Sequence, residues 1–357
     1  MHQPPWMKKL PIVPTALAFA LLSAVAPTLP TQAAAAQTSQ WFRGNTHTHT
    51  LQSDGDSPPD SVARWYRDRG YNFLFITDHE KLTDPAPLNA RYALPGKFLL
   101  IPGQEVTQRL VDSTHADKIR QAHLNALGAS HVVMPQGDKG LAKGITMKEG
   151  YATNIAGIRG AGGIAQVNHP NFRWSVRLAD LLAIPDSTLL EVMNAHTGVN
   201  NEGDGVQTPS TEALWDSLLT RGKIVFAVGD DDAHSFRAAN ADAYELTRPG
   251  RAWIVVRADT LTAASILAGI RRGDFYASTG VTLKELTATS KVIRITIQPV
   301  ADSRYKTEFI GANGKVLATV NGLEATYTIL GTEGYVRARV TDSNGGKALS
   351  QATFVRR

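Results

Sequence analysis

Seven short apolar runs recur along the chain, most of them separated by helix-patterned stretches, and nearly all carry a histidine or carboxylate at one end. Residues 41–50 end in His47 and His49, and residues 71–76 run into Thr77-Asp78-His79. Residues 98–101 lead to Pro102-Gly103-Gln104-Glu105, and residues 123–128 begin at His123. Residues 163–167 deliver Asn168-His169-Pro170, residues 189–193 lead to Asn194 and His196, and residues 224–229 enter Asp230-Asp231-Asp232-Ala233-His234. Short unbroken apolar runs are those of strands buried on both faces. Helices are expected between them at 60–69 (capped by Asp60), 149–159, 178–184 and 210–219, and after the last run at 262–272. Alternation of this kind predicts a parallel sheet. An open sheet would gather its polar residues at one switch point, whereas here successive strand ends all contribute. That distribution predicts a barrel whose strand ends share one mouth.

Within Asn45-Thr46-His47-Thr48-His49-Thr50-Leu51-Gln52-Ser53-Asp54-Gly55, extended backbone puts His47 and His49 on the same side. Ser53-Asp54-Gly55 is a turn that can bring Asp54 back to them. The full set of candidate metal ligands is His47, His49, Asp54, His79, Glu105, His123, His169, Asp232 and His234. The chain has no cysteine, which excludes disulfides, thiolate metal sites and cysteine nucleophiles together. A nitrogen and oxygen donor set suits zinc, manganese or iron.

These motifs, in this order, resemble the PHP (polymerase and histidinol phosphatase) superfamily over residues 45–234. Gly229-Asp230-Asp231-Asp232-Ala233-His234, Pro249-Gly250-Arg251-Ala252-Trp253 and Arg272-Gly273-Asp274-Phe275-Tyr276 are similar to its CehA/McbA-like metallohydrolase branch and extend the likeness to about residue 285. The resemblance implies a distorted (β/α)7 barrel holding two or three divalent ions. It implies one ion on His47, His49, Glu105 and Asp232, and a second on Glu105, His123 and His169. Asp54, His79 and His234 would take a third. Cations so placed supply a metal-bound hydroxide as nucleophile. Asp78 is expected either to orient an imidazole from behind or to cap the turn that follows it. His196, Asp230 and Asp231 fall near the mouth, whereas His115 and His131 read as loop histidines. Lys81, Arg109, Lys139, Lys143 and Arg237 are the candidate phosphate holders.

The expectation is a metal-dependent hydrolase of a small-molecule ester, with a phosphomonoester or phosphodiester ahead of a carbamate or carboxylic ester. A metal- or envelope-binding protein without turnover is the reading from another class. The formal charge of +5 comes without a basic block, so nucleic acid is not an expected partner. Residues 1–36 read as a cleaved export signal, with Met7-Lys8-Lys9, an apolar stretch at 16–26 and alanines at 33–36. Prolines at 11, 14, 27 and 30 leave that stretch too short for a stable membrane anchor, and the mature chain is expected in a periplasm or outside the cell. Residues 37–285 form the expected catalytic barrel. From there to the C-terminus, alternation such as Ile293, Ile295, Ile297 and Val336, Ala338, Val340, with turns at Asn313-Gly314 and Asn344-Gly345, predicts a small antiparallel β-sandwich over 286–357.

Overall fold

The structure is a computed structural model that describes residues 39–237 and 247–355. The expected export signal lies outside the described residues. The first half runs β1 (Gln40–Asn45), α1 (Pro59–Asp68), β2 (Phe73–Phe75), α2 (Ala86–Tyr92), β3 (Leu99–Ile101), β4 (Glu105–Val111), β5 (Ile119–Leu127), β6 (Leu141–Ala142) and α3 (Met147–Gly160). It continues with β7 (Ile164–Val167), α4 (Leu178–Leu181), β8 (Thr188–Asn194), α5 (Thr211–Thr220), β9 (Val225–Asp230), β10 (Trp253–Ala258), α6 (Ala263–Arg272) and β11 (Phe275–Ser278). The remainder is all strand: β12 (Leu283–Ala288), β13 (Val292–Ile297), β14 (Tyr305–Gly311), β15 (Lys315–Asn321), β16 (Glu324–Thr328), β17 (Tyr335–Asp342), β18 (Lys347–Ser350) and β19 (Thr353–Phe354).

Local chemistry sets the helix ends. Thr146 and Glu149 form a reciprocal capping box at α3, Ser210 Oγ accepts the Ala213 N–H at α5, and Gly273 closes α6 at φ 74°. Asp60 does not cap α1; it sits in the first turn and accepts from Arg91 Nη1 at 2.6 Å.

The barrel-like core is made of two arcs and is not uniformly parallel. One sheet has the order β15-β14-β17-β18-β11-β10-β1-β2-β3, the other β6-β4-β5-β7-β8-β9. The pairs β1–β2, β2–β3, β7–β8 and β8–β9 are parallel as expected. The pairs β1–β10, β4–β5 and β5–β7 are antiparallel. The reason is connection length: β4 and β5 are joined by residues 112–118, too short for a helical crossover, so they form a hairpin.

The arcs meet at two seams. At one, His79 bridges Glu105, with Glu105 N–H to Asp78 O at 3.1 Å. At the other, Thr48 bridges Ala233, with His49 N–H to Ala233 O at 2.9 Å and Asp232 N–H to His47 O at 3.0 Å. The residues that close the core are thus the candidate ligands and their neighbours.

The C-terminal strands are joined to this core, because β18 pairs with β11 and carries the large sheet on through β17, β14 and β15. The separate sheet β12-β13-β16 covers it, burying Ile293, Ile295 and Ile297 in one apolar cluster with Phe309, Val336, Ala338 and barrel residues such as Tyr276. Both predicted turns are present, with Asn313 and Gly314 at φ 60° and 69° between β14 and β15. The expected outward face of β17 differs at Arg337, which is 1 % exposed because α5 packs on that side. Among the described residues no helix is long and apolar enough to cross a membrane.

Candidate metal centre

The backbone extends beyond β1 through residues 46–49, so His47 and His49 share a side, with Nε2 atoms 3.1 Å apart. Each Nε2 also lies 3.3 Å from Glu105 Oε2 and 3.3 Å from Asp232 Oδ1. Ligands about 2.1 Å from a tetrahedral ion are separated by roughly 3.4 Å, so this donor spacing fits a divalent metal. Glu105 Oε1 faces the other way, 3.0 Å from His123 Nδ1 and 3.6 Å from His169 Nε2. Asp54 Oδ2 lies 3.4 Å from both His79 Nε2 and His234 Nε2, and Asp54 Oδ1 is 3.2 Å from His49 Nδ1. All nine sequence candidates therefore gather around Glu105, Asp232 and Asp54. Compact three-residue clusters include His47, His49, Asp232; His47, Glu105, His169; His49, His79, Glu105; and His49, Asp54, His234. His123 joins through Glu105 and is held at its far nitrogen by Gln121 Oε1 at 2.9 Å.

Packing so many titratable groups together shifts them strongly. Burial alone would lower His47 and His49, yet the adjoining carboxylates raise both, Asp232 foremost. His79 is likewise lowered by burial but raised by Glu105 and Asp54, to about 9. Burial would raise Glu105 and Asp232, and the imidazoles around them win, holding both well below the usual carboxylate range. Without metal, protons on His47, His49 and His79 balance the negative charge of Glu105 and Asp232, whereas burial lowers His123. A cation binding there must displace them.

Asp78 is buried and accepts from Thr50 N–H, Thr50 Oγ and Ser53 Oγ, each at 2.7 Å. It shapes the loop carrying Asp54 and reaches an imidazole through Ser53, whose Oγ is 3.3 Å from His49 Nδ1. Asp231 is tied to structure: it accepts from the N–H groups of Gly250, Arg251 and Ala252 and from Tyr66.

A cavity of about 220 Å³ opens over the cluster, lined by every candidate ligand except the fully buried His47 and by Gln121, Phe172, Arg173 and His196. Lys81, Arg109, Lys139, Lys143 and Arg237 do not line it; Arg109, for instance, donates to Lys139 O. Among the described residues, Arg173 is the cation that does. It stands near Asp117 at 3.8 Å, and its neighbour Phe172 packs on His123 and His169. Sequence reasoning also missed Glu191, which touches His47 Nδ1 at 2.6 Å. A charged residue inside the apolar run Leu189-Leu190-Glu191-Val192-Met193 was the signal for it.

No family model matches the chain, and no curated protein matches it. Among solved structures it is similar to a two-domain protein from Bacteroides vulgatus containing a predicted PHP-like metal-dependent phosphoesterase. Identity is 15 % and the TM-score 0.47, covering 81 % of this chain and 85 % of that one. It is also similar to an amidohydrolase from Chromobacterium violaceum, at 15 % identity and a TM-score of 0.34, covering 58 % of this chain and 90 % of the other. Likenesses this loose assign no activity. The histidine and carboxylate clusters themselves support a metal-dependent hydrolase with room for two or more divalent ions.

Proposed function

We propose that the chain is a metal-dependent phosphoesterase of the PHP type, in the CehA/McbA-like branch, acting on a small phosphomonoester or phosphodiester. The carrying observation is the fused donor cluster beneath a 220 Å³ cavity that has Arg173 on its wall. His47, His49, Glu105 and Asp232 would hold one ion, Glu105, His123 and His169 a second, and Asp54, His79 and His234 a third. Zinc, manganese or iron suits these donors. Bound ions supply Lewis acidity toward a phosphoryl oxygen and lower the pKa of water. Glu105 and Asp232 keep the site anionic, and Arg173 binds a nonbridging oxygen of the substrate. As part of the same reading, residues 1–36 are removed on export to a periplasm or the exterior, 37–285 form the catalytic domain and 286–357 the β module.

Phe172 on the cavity wall is the feature that favours the second reading, a carbamate or carboxylic ester hydrolase. The test is to assay phosphomonoester, phosphodiester, carbamate and carboxylic esters side by side on wild type and Arg173→Ala. Loss of a charge-assisted hydrogen bond of about 1.5–3 kcal/mol should raise KM for the phosphoester roughly 10- to 150-fold. The neutral esters should be indifferent to the change. Turnover of carboxylic or carbamate esters alone would overturn the phosphoesterase assignment.

A further inference from the structure

Glu191 interrupts the apolar run of β8 and is fully buried. A carboxylate in such a place is costly unless its oxygens are satisfied. Its partners are specific: His47 Nδ1 at 2.6 Å, the His169 N–H at 2.5 Å, Asn194 Nδ2 at 2.8 Å and Gln166 Nε2 at 3.0 Å. Asn194, at the end of the same strand, also donates from Nδ2 to Asp232 Oδ2 at 3.1 Å. Two adjacent side chains therefore reach His47, His169 and Asp232.

Two of those three have strained backbones. His169 sits at φ 24° and Asp232 at φ 47°, in the left-handed region that residues with a Cβ disfavour. Such conformations persist where surrounding contacts over-determine them. Glu191 grips the His169 backbone, and Asn194 grips the Asp232 carboxylate. At His47 the contact selects a nitrogen: an Nδ1–H donated to Glu191 leaves Nε2 to ligate an ion set between it, Glu105 Oε2 and Asp232 Oδ1, each 3.3 Å away.

We propose that Glu191, together with Asn194, is a positioning residue that fixes the His47 tautomer and holds His169 and Asp232 in ligating geometry. This rests on the ligand assignment above but not on the reaction. Partners behind a metal ligand of this kind typically change metal affinity 10- to 100-fold.

The test uses the full chain, stripped and reloaded with Zn2+. Glu191→Gln keeps the shape but replaces one accepting oxygen with an NH2 group. It can no longer accept from both His47 and the His169 backbone. Zn2+ affinity, read by competition with a chromophoric chelator, should fall about 10- to 100-fold. In the Zn2+-loaded wild type, 15N spectra should show a protected His47 Nδ1–H, and the variant should lose that protection. A purely structural carboxylate would lower the melting temperature of the metal-free chain and leave both readings unchanged, which overturns the proposal. If Glu191→Gln does not fold, Asn194→Ala decides: about tenfold weaker Zn2+ binding supports the brace, and unchanged binding refutes it. A chain that binds Zn2+ through this brace yet hydrolyses no phosphoester would sink the proposed function and leave this inference standing.

Discussion

Replacing Arg337 by methionine removes the guanidinium that joins the C-terminal strands to the barrel helix α5. In the native chain Nε donates to Asp216 Oδ1 and Nη2 to Asp216 Oδ2, both at 2.7 Å, and Nη2 also lies 2.7 Å from Glu212 Oε1. Tyr335 OH adds a bond to Asp216 Oδ1 at 2.7 Å, and the guanidinium lies over Trp215. Methionine matches much of the volume, so packing changes little. What changes is that Asp216, only 10 % exposed, keeps its charge without its partner. Removing one side of a buried pair costs about 3–5 kcal/mol. For a chain of this size that corresponds to a melting temperature lower by on the order of 10 °C. The assay is denaturation of full-length wild type, Arg337→Met, and Arg337→Met combined with Asp216→Asn. The double variant should regain much of the loss because the orphaned charge is gone. A single-variant cost below about 1 kcal/mol, the range of exposed pairs, would refute the reasoning.

Three further outcomes are expected. Gly55→Ala would put a Cβ 2.7 Å from the carbonyl of His49 and from Thr50 N, so the loop carrying Asp54 must move, and the chain should lose about 1–3 kcal/mol of stability and the ion held by Asp54. Metal affinity, followed by chelator competition, should rise with pH between 6.5 and about 9, because an ion must displace the proton that Glu105 and Asp54 keep on His79. For the metal-free chain the sign is opposite: the raised His79 value contributes stability fully present below 6.5 and lost as pH climbs through about 9, measurable by denaturation across that window.

The candidate ligands were legible in the sequence because polar donors at the ends of apolar runs are conspicuous against their surroundings. The extended His47-x-His49 and the turn at Asp54 also follow from short-range rules. Antiparallel pairing of β4 with β5 was not legible, because Gln108 is buried against the loop at 136–140 and obscures the strand's inner face. Arg337 defeated simple alternation for a related reason: its strand is covered on both faces, so both sides count as interior. Arg173 lies four residues beyond His169, a separation that gains meaning once the chain turns sharply at His169, Arg173 and Trp174, all at positive φ. Asp78 could be assigned either an imidazole or a turn from sequence spacing. The fold gives it Thr50 and Ser53.

Metal content per chain is the decisive measurement for the fused metal centre. The full chain, stripped, reloaded with Zn2+ or Mn2+ and desalted, is analysed for bound metal beside His123→Ala, His169→Ala and Asp54→Ala. The wild-type chain should hold at least two ions. Each variant should retain the ion bound by His47, His49 and Asp232, and at least one of the three should lose another. Fewer than two ions per wild-type chain, or a full complement in all three variants, would contradict it.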